Sequence, residues 1–197
     1  MTQEIDETQL RLAIAAQAGD RQAFEGLVLL HKVSLYRFVR RYVGDADDAY
    51  DLVQEAFISA WLALRNFDAR QSFSTWLRAI ALNKCRDYAR RRAVRRRLLA
   101  LFAAEHTPLG EPLVETDPTP ELRREQRLRQ LDQAIAALPR RYKEPLLLTM
   151  VSGLTQQQAA EQLKTTTKAI EMRIRRAKKR LGEALSQQPA AGPTRER

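Results

Sequence analysis

From Leu10 to Leu185 the apolar residues of this chain recur at three- and four-residue spacing with one long interruption, and that interruption constrains the fold more than any other feature. Between Glu105 and Glu121 fall Pro108, Gly110, Pro112, Pro118 and Pro120, together with Glu111, Glu115 and Asp117. Proline removes a backbone donor and clashes with the preceding helical turn, and acidic side chains resist packing, so this stretch reads as a flexible acidic linker. Strand-like alternation is absent, and the fold class expected is all-α. Two helical domains, 10–102 and 122–185, are joined by a linker at 103–121 and followed by a loose tail at 186–197.

Charge narrows the partners. Lys and Arg number 34 against 24 Asp and Glu, a formal charge of +10, which favours a polyanion, nucleic acid before an anionic membrane. The apolar stretches are far shorter than the roughly 20 residues needed to cross a bilayer, so no direct membrane insertion is expected. The start of the chain lacks the basic-then-apolar order of a signal peptide, which predicts a cytoplasmic protein. Cys85 is the single cysteine, and His31 and His106 stand far apart, so neither a disulfide, a metal site nor a cofactor is expected.

Three segments carry candidate chemistry. In the first, Ala49, Leu52, Val53, Ala56, Phe57, Ala60, Trp61 and Leu64 form one helix face, and at about 100° per residue Asp48, Asp51 and Glu55 project from the other, with Asp47 and Gln54 at its edge. By itself this is what the solvated face of any amphipathic helix looks like. Carboxylates on a convex face, without His partners or a pocket, do not make a hydrolytic or magnesium site.

The second segment runs from Phe73 to Tyr88, with Ser74 or Thr75 as a helix cap, and continues into Arg90, Arg91, Arg92, Arg95, Arg96 and Arg97. Aromatic faces stack on unpaired bases, Asn and Arg hydrogen-bond base edges, and clustered arginines neutralise phosphates, which together equip a helix to hold single-stranded nucleic acid. Phe73 and Trp76, three residues apart, are equally what two core anchors look like.

The third is a helix-turn-helix outline. Thr155 with Gln158 makes a capping box opening a short helix through Ala159, Ala160 and Leu163, and a turn at Lys164-Thr165 leads to Thr166, which can cap the next. There Ile170, Ile174, Ala177 and Leu181 share one face, while Lys168, Glu171, Met172, Arg175, Arg176 and Lys179 turn outward, as a helix entering the major groove requires. Leu146, Leu147, Leu148 and Met150 form the apolar side of a supporting helix. An antiparallel helical hairpin with solvated basic faces has the same periodicity.

The order of these segments resembles that of the extracytoplasmic-function (ECF) sigma factors of the sigma-70 family. Asp47 through Phe57 is similar to the family's polymerase-binding signature, and Leu138-Pro139 through Leu181 to its promoter-reading fourth domain. The resemblance implies an initiation subunit of RNA polymerase without an active site of its own. Asp47, Asp48, Asp51, Gln54 and Glu55 would dock on the clamp helices of the polymerase's largest subunit. Phe73, Trp76, Asn83, Lys84, Arg86 and Asp87, with Arg90 and Arg91 on nearby phosphates, would melt and capture the minus-ten element of promoter DNA. Thr155, Thr166, Lys168, Glu171, Met172, Arg173, Arg175, Arg176 and Lys179 would serve the minus-thirty-five element, with Arg173 toward the edge of the apolar face.

The linker would follow the polymerase's RNA path. A cognate anti-sigma factor, often membrane-anchored in this family, would cover the polymerase-binding surface and hold the chain at the inner membrane face. Two positions depart from the family's habit. Lys164 stands where Gly is frequent, which is easily accommodated if the turn avoids positive φ, and Glu171 stands where a basic residue is frequent, suited to accept from a cytosine amino group or to repel phosphate. A conventional regulator binding an operator as a symmetric dimer is the competing reading, and the Asn- and Arg-bearing aromatic segment speaks against it.

Overall fold

The computed structural model describes residues 2–102 and 119–186, with side chains from 7–99 and 119–186. The linker at 103–118 and the tail at 187–197 therefore lie outside the described residues. Every regular element among the described residues is helical. The chain divides into two compact units, Met1–Arg123 and Arg124–Arg197.

In the first unit, α1 (Thr2–Gln17), α2 (Arg21–Val43), α3 (Ala46–Ala63) and α4 (Phe73–Phe102) pack around α2, with a short 3-10 turn at Leu64–Asn66. Asp20 caps α2, accepting from the Ala23 amide at 3.1 Å, and Gly44 ends it at φ 85°, a left-handed conformation that costs glycine little. The next residue, Asp45, caps α3 by accepting from the amides of Asp47 (2.9 Å) and Asp48 (3.0 Å), so one Gly-Asp pair ends one helix and begins the next. Leu27, Leu35, Phe38 and Val39 of α2 are buried against Ala49, Leu52, Ala56 and Ala60 of α3 and Leu77, Ala81, Leu82 and Cys85 of α4. The Gln17 amide fastens the end of α1 to the turn after α3, donating to the carbonyls of Leu64, Arg65 and Phe67 at 3.1–3.2 Å.

Helix α4 is longer and starts earlier than its sequence suggests. Its cap is Ser72, whose Oγ accepts from the Thr75 amide at 3.3 Å, rather than Ser74 or Thr75, which already lie inside the helix. No Gly or Pro interrupts the stretch from Phe73 to Phe102, so the aromatic segment and the arginine run form one helix of 30 residues. Its first half is core. From Arg86 to Leu99 no side chain is buried, and the helix projects beyond its unit's packed interior.

The second unit contains α5 (Pro120–Ala137) from Arg124 onward, α6 (Arg140–Met150), α7 (Gln156–Gln162) and α8 (Thr167–Ser186). Helix α5 begins inside the stretch expected to be linker, because Pro120 suits the first helical position and Thr119 Oγ1 accepts from the Leu122 amide at 3.3 Å. Residues 120–130 are exposed, and α5 joins the core only at Ile135, followed by Leu138 beyond its end. Leu146, Leu147 and Leu148 are buried among α6, α7 and α8. Met150 was expected beside them but is 58% exposed, because it falls in the last turn of α6, past the packed helices. Two charged residues are buried with partners: Lys143 donates to the Ala136 carbonyl at the end of α5, and Glu144 accepts from Arg140 Nε at 2.7 Å.

Candidate functional site

The acidic face of α3 splits into two sets. Asp47, Asp51 and Gln54 stand exposed, whereas Asp48 and Glu55 are half-buried against α4. The Asp48 carboxylate accepts a short hydrogen bond from the Tyr88 hydroxyl, and Glu55 Oε2 lies 3.6 Å from Lys84 Nζ. Burial first, and then the bond to Asp48, push the Tyr88 phenol up to about 12, so it remains a proton donor to that carboxylate throughout the neutral range. Between the acids, Tyr50, Ile58 and Leu62 are 61%, 59% and 76% exposed. Tyr50, Gln54 and Ile58 follow one i, i+4 row, so an apolar line runs through the acidic face. The sequence reading missed it, although the signal was present in apolar residues that fall off the core face at helical spacing.

On α4, Phe73 belongs to the interior. It is 2% exposed, and its ring centroid lies 5.4 Å from His31, 5.7 Å from Phe67 and 5.6 Å from Trp76. Stacking on a base would require withdrawing it from the core. Trp76 is half-exposed and packs on Phe67 at 5.2 Å. At 3.6 residues per turn Trp76, Asn83, Asp87, Arg90 and Arg91 lie within about a quarter of the helix circumference, with Lys84 and Arg86 at its margins. Arg86 donates to Asn83 Oδ1 at 3.2 Å, which orients the amide with its NH2 away from that contact. Arg90 lies 3.3 Å from Asp87. Arg91 and Arg95 to Arg97 are exposed on the projecting half.

Beside the start of α4 is a hollow of about 190 Å³, lined by Gln9, Leu10, Ala69, Arg70, Gln71, Ser72 and Phe73. Its rim is fixed by Arg70, which donates from Nε and a terminal nitrogen to both oxygens of Asp68 at 2.7–3.0 Å and holds that carboxyl down at about 2. The sequence reading passed over this loop, whose polar run Asp68-Ala69-Arg70-Gln71-Ser72 is indistinguishable from an ordinary connection.

The helix-turn-helix of the second unit forms as its caps predict. Gln158 N donates to Thr155 Oγ1 at 3.1 Å and Thr155 N to Gln158 Oε1 at 2.9 Å, a complete capping box. Thr166 Oγ1 accepts from the Ala169 amide at 3.2 Å and opens α8. The turn does not avoid positive φ: Lys164 sits at φ 50°, a left-handed conformation that costs a residue with a Cβ about 1 kcal/mol and explains the advantage of glycine there. On α8, Lys168, Glu171, Arg175, Arg176 and Lys179 are exposed, Met172 and Arg173 half-buried, and Ile170, Ile174 and Ala177 buried. Arg175 reaches back to Met172 Sδ at 3.5 Å.

Among the described residues, no group of three or more His, Cys, Asp or Glu is placed to hold a metal ion, and no helix is long and apolar enough to cross a membrane.

Comparisons with known proteins match both units. Residues 27–95 match the family described as Sigma-70 region 2, and residues 128–181 that described as Sigma-70, region 4. The RNA polymerase sigma factor CnrH of Cupriavidus metallidurans is 36% identical, across 88% of this chain and 92% of its own. The ECF RNA polymerase sigma factor SigF of Caulobacter vibrioides is 32% identical, across 91% and 95%. The solved structure of CnrH in complex with the cytosolic domain of CnrY aligns with a TM-score of 0.66 at 32% identity, covering 92% of this chain and 99% of that one. Two matched regions in the order the helices require, and relatives spanning nearly the whole length, make this chain a member of the ECF group of the sigma-70 family.

Proposed function

We propose that three helix faces divide the work of an initiation subunit that directs core RNA polymerase to promoters. The acidic face of α3, through Asp47, Asp48, Asp51, Gln54 and Glu55, docks on the clamp helices of the largest polymerase subunit. The outer face of α4 holds the melted minus-ten strand, with Trp76 stacking, Asn83, Lys84, Arg86 and Asp87 at base edges, and Arg90 and Arg91 on phosphates. Phe73 acts through Trp76, and the hollow beside Ser72 has room for an extruded base. The outer face of α8 reads the minus-thirty-five duplex with Lys168, Glu171, Met172 and Arg175, while Arg173, Arg176, Lys179 and the cap residues Thr155 and Thr166 fix its position on the backbone. The chain contributes no catalytic group to the polymerase reaction.

The observation that carries this reading is the single helix α4, which joins the core-packed aromatic end to a projecting arginine-rich end and abuts α3 through Asp48–Tyr88 and Glu55–Lys84. Control by an anti-sigma factor fits the same surface: an inhibitor covering Tyr50, Ile58 and Leu62 of α3 would bury apolar area and block the clamp-facing carboxylates together. The solved structure of CnrH holds it in complex with the cytosolic domain of CnrY.

The test is retention of genomic DNA fragments on the immobilised full chain, with and without sigma-free core polymerase. Retention that depends on core supports the reading. Retention by the chain alone at symmetric half-sites would support the conventional regulator instead.

A further inference from the structure

We propose that the second unit carries a phosphate clamp, separate from the base-facing residues of α8, in which Arg141, Arg176 and Arg180 converge over Tyr142 to grip one backbone phosphate of the upstream duplex. This rests on the assignment of α8 to duplex DNA and adds to it residues of α6 that face no base.

The start of α6 and the second half of α8 enclose an open cleft of about 460 Å³, lined by Tyr142, Arg176, Lys179, Arg180 and Glu183. At its floor Tyr142 is 5% exposed, held in place by the core below. The Arg141 guanidinium lies 4.7 Å and that of Arg180 5.1 Å from the centre of its ring, and Arg176 hydrogen-bonds its hydroxyl. Burial raises the phenol, and the bond from Arg176 with the fields of Arg141, Arg176 and Arg180 outweighs it, bringing the phenol below its ordinary value.

The lining carboxylate, Glu183, lies 3.8 Å from Lys179 and so offsets that lysine. Three guanidiniums around one phenol repel one another, and an anion with several oxygens relieves that repulsion while accepting from the guanidinium forks.

Position selects DNA as the source of the phosphate. Arg176 and Arg180 follow Arg175 by one and five residues, about 1.5 to 8 Å along α8 at 1.5 Å per residue. A helix whose outer face lies in a major groove roughly 12 Å wide has a sugar–phosphate strand alongside it at that distance. Arg176 and Arg180 turn toward α6 rather than toward the groove floor, which places Arg141 and Tyr142 beside the strand.

The full chain assembled with core polymerase is titrated with a labelled duplex carrying the upstream element of a promoter it uses, at salt from 50 to 200 mM, and compared with Arg180→Gln and Arg141→Gln. Both arginines are exposed, so their replacement leaves the core in place, and circular dichroism checks this. The clamp predicts a three- to tenfold loss of affinity at low salt for each variant, equal for matched and scrambled upstream sequence, with a salt slope shallower by about one. Wild-type affinity and slope in both variants would overturn it. Inorganic phosphate shifting the Arg180 Nε resonance while the DNA slope stays unchanged would assign the cleft to a free phosphate compound and overturn the DNA assignment. A wild-type holoenzyme indifferent to the upstream sequence would instead overturn the reading of α8 on which the clamp rests.

Discussion

Glu55 of the acidic face of α3 and Lys84 of the DNA-facing helix α4 lie 3.6 Å apart, so a group proposed to meet polymerase and a group proposed to meet DNA are ion-paired with each other. Two helical turns toward the start of α3, Asp48 and Tyr88 repeat the arrangement with a hydrogen bond, and Arg92 approaches the Tyr88 oxygen at 3.4 Å. Docking of the clamp on Asp48 and Glu55, as proposed, would compete with contacts that restrain α4. Tyr88→Phe removes the hydrogen-bonded link. It should lower the stability of the first unit by about 1 kcal/mol, the typical net value of one hydrogen bond, without weakening polymerase binding, because Asp48 is released from a competing contact. Denaturant unfolding followed by tryptophan fluorescence reads this unit alone, because both tryptophans, Trp61 and Trp76, lie in it. An unchanged midpoint would mean that the link contributes nothing in solution.

Asp51 is exposed and makes no contact with the core, so Asp51→Arg should leave the fold intact and reduce affinity for core polymerase at least tenfold by placing a cation against a surface that receives carboxylates. Competition binding against a labelled wild-type chain measures it, with circular dichroism as the fold control. Wild-type affinity would remove α3 from the docking surface.

Asn83 is exposed and oriented by Arg86. Asn83→Ala should lower open-complex formation on a fully paired promoter by about tenfold, the equivalent of ~1.4 kcal/mol, with polymerase binding unchanged. A template already unpaired across the minus-ten element should recover part of the loss. Permanganate reactivity of unpaired thymines reports both templates, and equal opening by the variant on paired DNA would end the base-capture role.

His31 is 6% exposed beneath the Phe73 ring, and its Nε2 is buried without a hydrogen-bond partner. Burial, and then the field of Arg78, bring its pKa down to about 4 from the usual 6.5. Below pH 6.5 the unfolded chain takes up a proton that the folded chain refuses, so stability conferred by the neutral ring is full above 6.5 and declines as pH falls toward 4. The total is about 3 kcal/mol, at ~1.4 kcal/mol per pH unit. Relative to the wild type, His31→Leu should gain about 2 to 3 kcal/mol between pH 7 and pH 4.5 in the same fluorescence-monitored unfolding. A constant difference between the two proteins would show that the histidine protonates within the fold.

Much of this architecture is written in local pattern. The Thr155–Gln158 box, the Thr166 cap, the apolar face of α3 and the edge position of Arg173 follow from spacing and side-chain chemistry, and each is found as read. What spacing could not reveal depends on neighbours distant in sequence. Phe73 and Trp76 look alike as aromatic residues three apart, yet Phe67 and His31 enclose the first and leave the second half-open. The left-handed turn at Lys164 carries no glycine to mark it in the sequence, and Arg176 and Arg180 meet Tyr142 from more than thirty positions away.

Transcription in vitro tests the central claim most directly: the full chain with sigma-free core polymerase on fragmented DNA from its own genome, with the 5′ ends of the transcripts mapped. The account predicts discrete starts that require the chain, share two upstream sequence elements, and disappear with Asp51→Arg. Starts that are the same with and without the chain, or that persist undiminished with Asp51→Arg, would contradict it.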